Sequence, residues 1–138
     1  MNHLVLSDAS RIVSGILLLS IVTIEFGGWF MTKIVRGQVP MTDFQKAFAR
    51  AGHAHAGVLV TLGLVAQVLA DATTFDGATG WLVRLLIPAA AILMSGGFFA
   101  ASAGRNVTQP TKAVVILWLG AACLAAGSLT LGIGLLAA

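Results

Sequence analysis

Two histidines two residues apart, His53 and His55, stand in the run Gly52-His53-Ala54-His55-Ala56-Gly57 at the start of an apolar stretch long enough to cross a bilayer. An imidazole at membrane depth is costly, so such residues line a path, ligate a cofactor or pair with one another. At about 100° per residue the two rings lie about 200° apart on a helix. They cannot close on one small ion, and the spacing predicts two separate sites, one on each flank of the helix. Small residues surround both rings, including Ala51 one step earlier. A porphyrin is a flat disc that must lie against the helix beside its axial ligand, so small neighbours favour haem over a compact ion. The structural alternative is a pair of histidines satisfied by interhelical hydrogen bonds.

Other groups extend this pair. Glu25 sits in the first apolar stretch, on the half that shares a membrane layer with the histidines. A carboxylate there can orient an imidazole, relay protons, stay protonated through desolvation, or simply bond to a neighbouring helix. Arg50 lies about one turn before His53, from where a guanidinium can hold a haem propionate. Lys46, Arg105 and Lys112 fall on the same side, where headgroup and topology contacts are the ordinary use of such residues. Met31, Met41 and Met94 are thioether donors that suit Cu(I), though a lone methionine in a membrane helix more often packs. His3 stands near the terminus, outside the site.

These residues need a scaffold. Of the 138 residues 58% are hydrophobic and only 9% charged, outside the soluble globular range. Four apolar stretches, about 12–31, 51–70, 81–103 and 113–137, each have the roughly 20 residues that a transmembrane helix requires. An all-α integral membrane fold of four helices in a single domain is expected. The first stretch lacks a basic start and a small-residue cleavage site and carries Glu25, so it reads as a permanent span. Arg11 is expected before the first helix and Arg84 at the start of the third.

Loops one and three share one side and hold most of the basic residues, which by the positive-inside rule makes that side cytoplasmic. Thr42 or Asp43 is expected to cap a second helix that begins about two turns before the membrane core. Trp29, Trp81 and Trp118 fall near span ends as interfacial anchors. Gly96, Ala100 and Gly104, and Cys123 with Gly127, recur every four residues and are expected to bring helices close. Cys123 is the single cysteine, so there is no intrachain disulfide and no motif for covalent haem attachment. The net charge of +3 is spread over short loops and gives no footprint for nucleic acid.

The eight residues Gly52 to Leu59 resemble the His-x-His segment of the haem-copper oxidase and nitric oxide reductase catalytic subunits, where the motif also opens a membrane helix. In that family the two histidines bind different haems on opposite sides of the helix. The family subunit has twelve helices in three four-helix arcs, so a four-helix chain is similar to one arc and a homotrimer would recover the whole. The resemblance then implies His53 of one chain and His55 of the next approaching across each interface, with three equivalent b-type haem sites. It departs from the family in having no tyrosine and no histidine besides His3 to build the copper-containing oxygen-reducing site. The family also carries this motif toward the outer face, whereas the basic loops argue for the cytoplasmic one.

The reading that follows is a membrane protein of a cell membrane, lipid-embedded and homo-oligomeric. It would bind haem b through His53 and His55, with Arg50 at a propionate and Glu25 beside the site, and serve electron transfer, with a redox partner, or oxygen or nitric oxide chemistry. The rivals are a copper or other transition-metal protein, and a cofactor-free accessory subunit or small transporter.

Overall fold

The computed structural model describes residues 5–138 as four helices, α1 (Asp8–Val35), α2 (Asp43–Ala70), α3 (Gly77–Ala101) and α4 (Val114–Leu136). All four are long and apolar enough to cross a membrane. Large apolar side chains such as Leu19, Phe26, Ile92, Trp118 and Leu129 are exposed on their outer faces. A belt of that kind is covered by lipid or by another chain.

Local chemistry sets the helix starts. Ser7 caps α1 by accepting from the Ser10 N–H, so the helix begins at Asp8. Arg11, expected ahead of the helix, therefore lies in its first turns and pairs with Asp8 at 2.8 Å. Thr42 and Gln45 form a reciprocal capping box, and α2 starts at Asp43, well before its apolar run.

The helices stand in an open row. Each packs on its neighbour in sequence, α1 and α3 meet sparingly, and α1 does not touch α4. The α3–α4 seam is made by glycines. A Cβ on Gly97 would lie 2.5 Å from the Leu117 backbone nitrogen, and one on Gly120 would lie 2.7 Å from that of Met94. Gly127 likewise meets Leu86 and Ile87. The expected stripe through Gly96 is not the packed one: Gly96 is exposed with nothing near it, and Gly104 lies beyond the helix end at φ +125°. The seam runs one residue over because Gly97 shares its face with Ala90, Met94 and Ala101, all of which are buried.

Polar ties close both ends of the row. At one end Arg84, expected near the helix start, lies two turns into α3 and is 8% exposed. Its guanidinium donates to Asp71 at 2.6 Å, to Ser10 Oγ at 3.1 Å and to the Gly80 carbonyl at 2.8 Å. Ser7 and Ser10 also donate to Asp71, so α1, α2 and α3 share one buried cluster. Gln67, fully buried, donates to the Arg84 carbonyl at 2.9 Å. That carbonyl has no helical donor because Pro88, four residues on, lacks an N–H. At the other end Gln45 donates to the carbonyls of Ser102 and Gly104, and Thr42 to that of Val107, tying α2 to the α3–α4 loop.

Two outcomes follow. Gly97→Ala forces the α3–α4 backbones apart and is expected to cost about 1–3 kcal/mol in detergent unfolding, whereas Gly96→Ala leaves stability equal or higher; equal losses in both would contradict the assigned seam. Burial pushes the Asp71 carboxyl up, but the hydrogen bonds from Ser7, Arg84 and Ser10 outweigh it and hold the group at about 2 instead of 3.8. A depressed carboxyl contributes stability that is full above its unfolded value and is lost as pH falls through its folded one. Thermal unfolding followed by circular dichroism is thus expected to show stability falling between about pH 4 and pH 2, a fall that is absent in Asp71→Asn.

Candidate functional site

Helix α2 carries both histidines and sends them to different neighbours. His53 faces α1, where its ring lies against Gly27 and Gly28. A Cβ on Gly27 would come within 3.3 Å of His53 Nδ1, and one on Gly28 within 3.5 Å of Nε2. The two glycines form a notch that admits the ring flush against the α1 backbone. His55 faces α3, with its ring centroid 4.9 Å from that of Phe98 at a 42° tilt. Phe98 in turn packs edge-on to Phe48, so an aromatic file runs from His55 toward the start of α2. The divergence expected from the two-residue spacing is present. Each ring is half-buried.

The hydrogen bonding of the two rings differs. His55 Nδ1 lies 2.8 Å from the Ala51 carbonyl, one turn back on its own helix. A carbonyl oxygen only accepts, so Nδ1 carries the proton and Nε2 of the neutral ring bears the lone pair. An imidazole oriented in this way through its other nitrogen is the usual state of one that ligates a metal. His53 has no hydrogen bond among the described residues. Its ring is turned into the notch, so the space for a disc-shaped ligand between it and α1 is taken up by the ring itself.

The remaining candidate residues lie around the same end of the bundle. Glu25 is two residues before the Gly27-Gly28 notch but points outward, exposed, with no ion pair among the described residues. It does not reach either imidazole. Arg50 is exposed one turn before His53 and is likewise unpaired among the described residues, while Lys46 is held by Asp43 at 3.2 Å. Trp29 at this end stacks under the Lys33 ammonium, 3.9 Å from the ring centroid. His3 lies outside the described residues. No three His, Cys, Asp or Glu side chains gather to hold a metal ion among the described residues.

Sequence reasoning missed the partners of the pair. Adjacent glycines in an apolar run just after Glu25 were the available signal for the notch; nothing in the sequence singled out Phe98. Compared with known protein families, with curated proteins and with solved structures, the chain has no match.

The notch generates a test that needs no cofactor. Gly27→Val places branched carbons where His53 Nδ1 now lies, and the ring must move. In protein labelled with nitrogen-15 histidine, the ring resonances of His53 are expected to shift while those of His55, tied to Ala51, stay in place. Unchanged His53 signals would show that the ring does not occupy the notch.

Proposed function

We propose that this chain is an integral membrane protein that binds b-type haem through His53 and His55 for electron transfer or small-gas chemistry. The observation that carries the reading is the pair of imidazoles on opposite flanks of α2, one of them with its Nδ1 proton committed to the Ala51 carbonyl, so that its Nε2 bears the lone pair a metal needs. Haem needs only one or two protein ligands, because the porphyrin supplies four nitrogens. A copper or zinc site built from protein alone needs three or four, and no such group is gathered among the described residues. The donor set thus suits haem better than a bare ion.

The chain's own residues would divide the work. His55 would offer the Nε2 lone pair, its Nδ1 proton being held by the Ala51 carbonyl. His53 ligates after its ring swings out of the Gly27-Gly28 notch, which leaves Ala54, Ala56 and Gly57 as the small walls beside the disc. Arg50, exposed and unpaired among the described residues, is one turn nearer the helix start and is the cation for a propionate. When bound, haem supplies one-electron transfer or gas ligation, and the protein supplies orientation and a low-dielectric surround.

A homotrimer that resembles the three arcs of the oxidase family belongs to the same proposal. The open row supports it, because α1 and α4 leave two uncovered margins where copies can meet. Glu25 supports it too: an outward carboxylate within a span calls for a partner, and none is supplied among the described residues.

The deciding measurement is a dithionite-reduced minus air-oxidised visible spectrum of detergent-purified protein made with ample haem. Sharp alpha and Soret bands are expected, lost in His55→Ala and weakened or lost in His53→Ala, with carbon monoxide shifting the Soret band only if one axial position is open. Fully assembled, colourless protein would end the haem reading and pass the question to metal analysis.

A further inference from the structure

The row of helices ends in two uncovered margins, one on α1 and one on α4, and each carries a stripe of exposed side chains. On α1 the stripe is Leu18, Val22, Glu25 and Trp29, at steps of four, three and four residues. On α4 it is Val115, Trp118, Ala122, Ala125 and Leu129, at steps of three and four. Alternating steps of this kind keep side chains on one face over several turns, the spacing by which two helices interlock at a shallow angle. Trp118 and Leu129 each lie two residues from a glycine buried against α3, Gly120 and Gly127, so the α4 stripe heads away from the rest of the chain.

The two stripes match in depth and in size. Contacts within the chain set the levels of its antiparallel helices: Gly27 and Gly28 lie beside His53, Gly52 beside Phe98, and Gly120 beside Met94. Stepping across these contacts at about 1.5 Å per residue brings Val22 level with Ala122, Leu18 within a turn of Ala125, and Glu25 within a turn of Trp118. Copies related by an axis along the membrane normal keep those depths. The bulky side chains of one stripe then meet the alanines of the other.

Polar chemistry selects the occupant. Glu25 has no ion pair, and the Trp118 indole N–H no hydrogen-bond partner, among the described residues. An indole N–H only donates, and a carboxyl oxygen accepts whether or not the group is protonated. Lipid tails satisfy neither group. A second copy satisfies both at once. We propose that α1 of one copy packs on α4 of the next through these stripes, with the Glu25 carboxyl accepting from Nε1 of Trp118 of the partner subunit. The contact rests on the reading that copies meet at these margins, and it does not depend on haem.

The test is disulfide crosslinking of the full chain in native membranes, in a Cys123→Ala background, by oxidation with copper phenanthroline and non-reducing electrophoresis. Val22→Cys combined with Ala122→Cys is expected to give a ladder that ends at the closed ring, three rungs for a trimer. Val22→Cys combined with Ile92→Cys, whose site is exposed on α3 level with Ala122, is expected to give none. Equal crosslinking of both pairs marks random collision and overturns the proposal, as does an absent Val22–Ala122 ladder. Light scattering of the purified Cys123→Ala protein tells the failures apart. An oligomer without that ladder ends this seam and keeps the trimer reading, a monomer ends both, and a ladder that closes at another number keeps the seam and ends the trimer.

The hydrogen bond has its own readout. Energy transfer between labelled copies in detergent gives an apparent dissociation constant, which Glu25→Ala and Trp118→Phe are each expected to raise about 3–10-fold. Both sites are exposed, so neither change disturbs the packing inside one chain. The double variant is expected to lose little more than either single one, as two groups in contact must. Losses that multiply would show that the two side chains do not meet.

Discussion

The interaction on which the rest of this structure depends is the buried ion pair between Arg84 and Asp71. A guanidinium 8% exposed inside a bundle of apolar helices is tolerable only if it is paired with an opposite charge and hydrogen-bonded. It meets a carboxylate at the end of α2, a hydroxyl of α1 and a carbonyl of α3 itself. Removing the Asp71 carboxylate would leave the Arg84 charge stranded at a cost of about 3–5 kcal/mol. The cluster therefore fixes three helices at one point and leaves their other ends to be set by side-chain volume. From that pivot α1 and α3 diverge, and the space around the histidines lies on the far side of it.

The two ends of the molecule consequently differ in kind. The Arg84 end is a dense network in which even the carbonyl freed by Pro88 finds a donor in Gln67. The histidine end is held mainly by fit: a ring in a glycine notch, a ring on Phe98, and loop carbonyls capped by Gln45. Contacts of shape are more easily rearranged than charge-assisted hydrogen bonds. The end that the proposed chemistry needs to adapt, by turning His53 or admitting a flat ligand, is the end built from the weaker fastenings.

The four spans were legible because length and hydropathy alone nearly decide them in a chain this apolar, and the capping of α2 was legible from Thr42 and its neighbours. The opposite headings of His53 and His55 followed from helical geometry. What was hidden depended on contacts distant in sequence. Arg84 reads from the sequence only as a basic residue at the start of the third helix, because nothing local reveals that Asp71 and Ser10 converge on it. Gly96 and Gly97 are adjacent in sequence, and a four-residue repeat chose the wrong one because the repeat ignores which face the apolar neighbours occupy. Gln67 gave no signal of its own, since its role is defined by Pro88 on another helix. Glu25 could be placed in depth from sequence, but not in azimuth, and its outward heading emerges only from the packing of α1.

The sequential packing of the row has a consequence for how the chain comes into being. Because each helix rests chiefly on the one made just before it, and the last does not return to the first, most contacts become available in the order of synthesis. Little loop-closure entropy has to be overcome before they form. The one early exception is the Arg84 cluster, which must wait for α3 before the Asp71 carboxylate and the Ser10 hydroxyl are engaged by the guanidinium. Assembly in the bilayer would thus proceed as a helix pair that locks when the third helix arrives, with α4 added afterwards along a seam to which Gly97 of α3 and Gly120 and Gly127 of α4 all contribute.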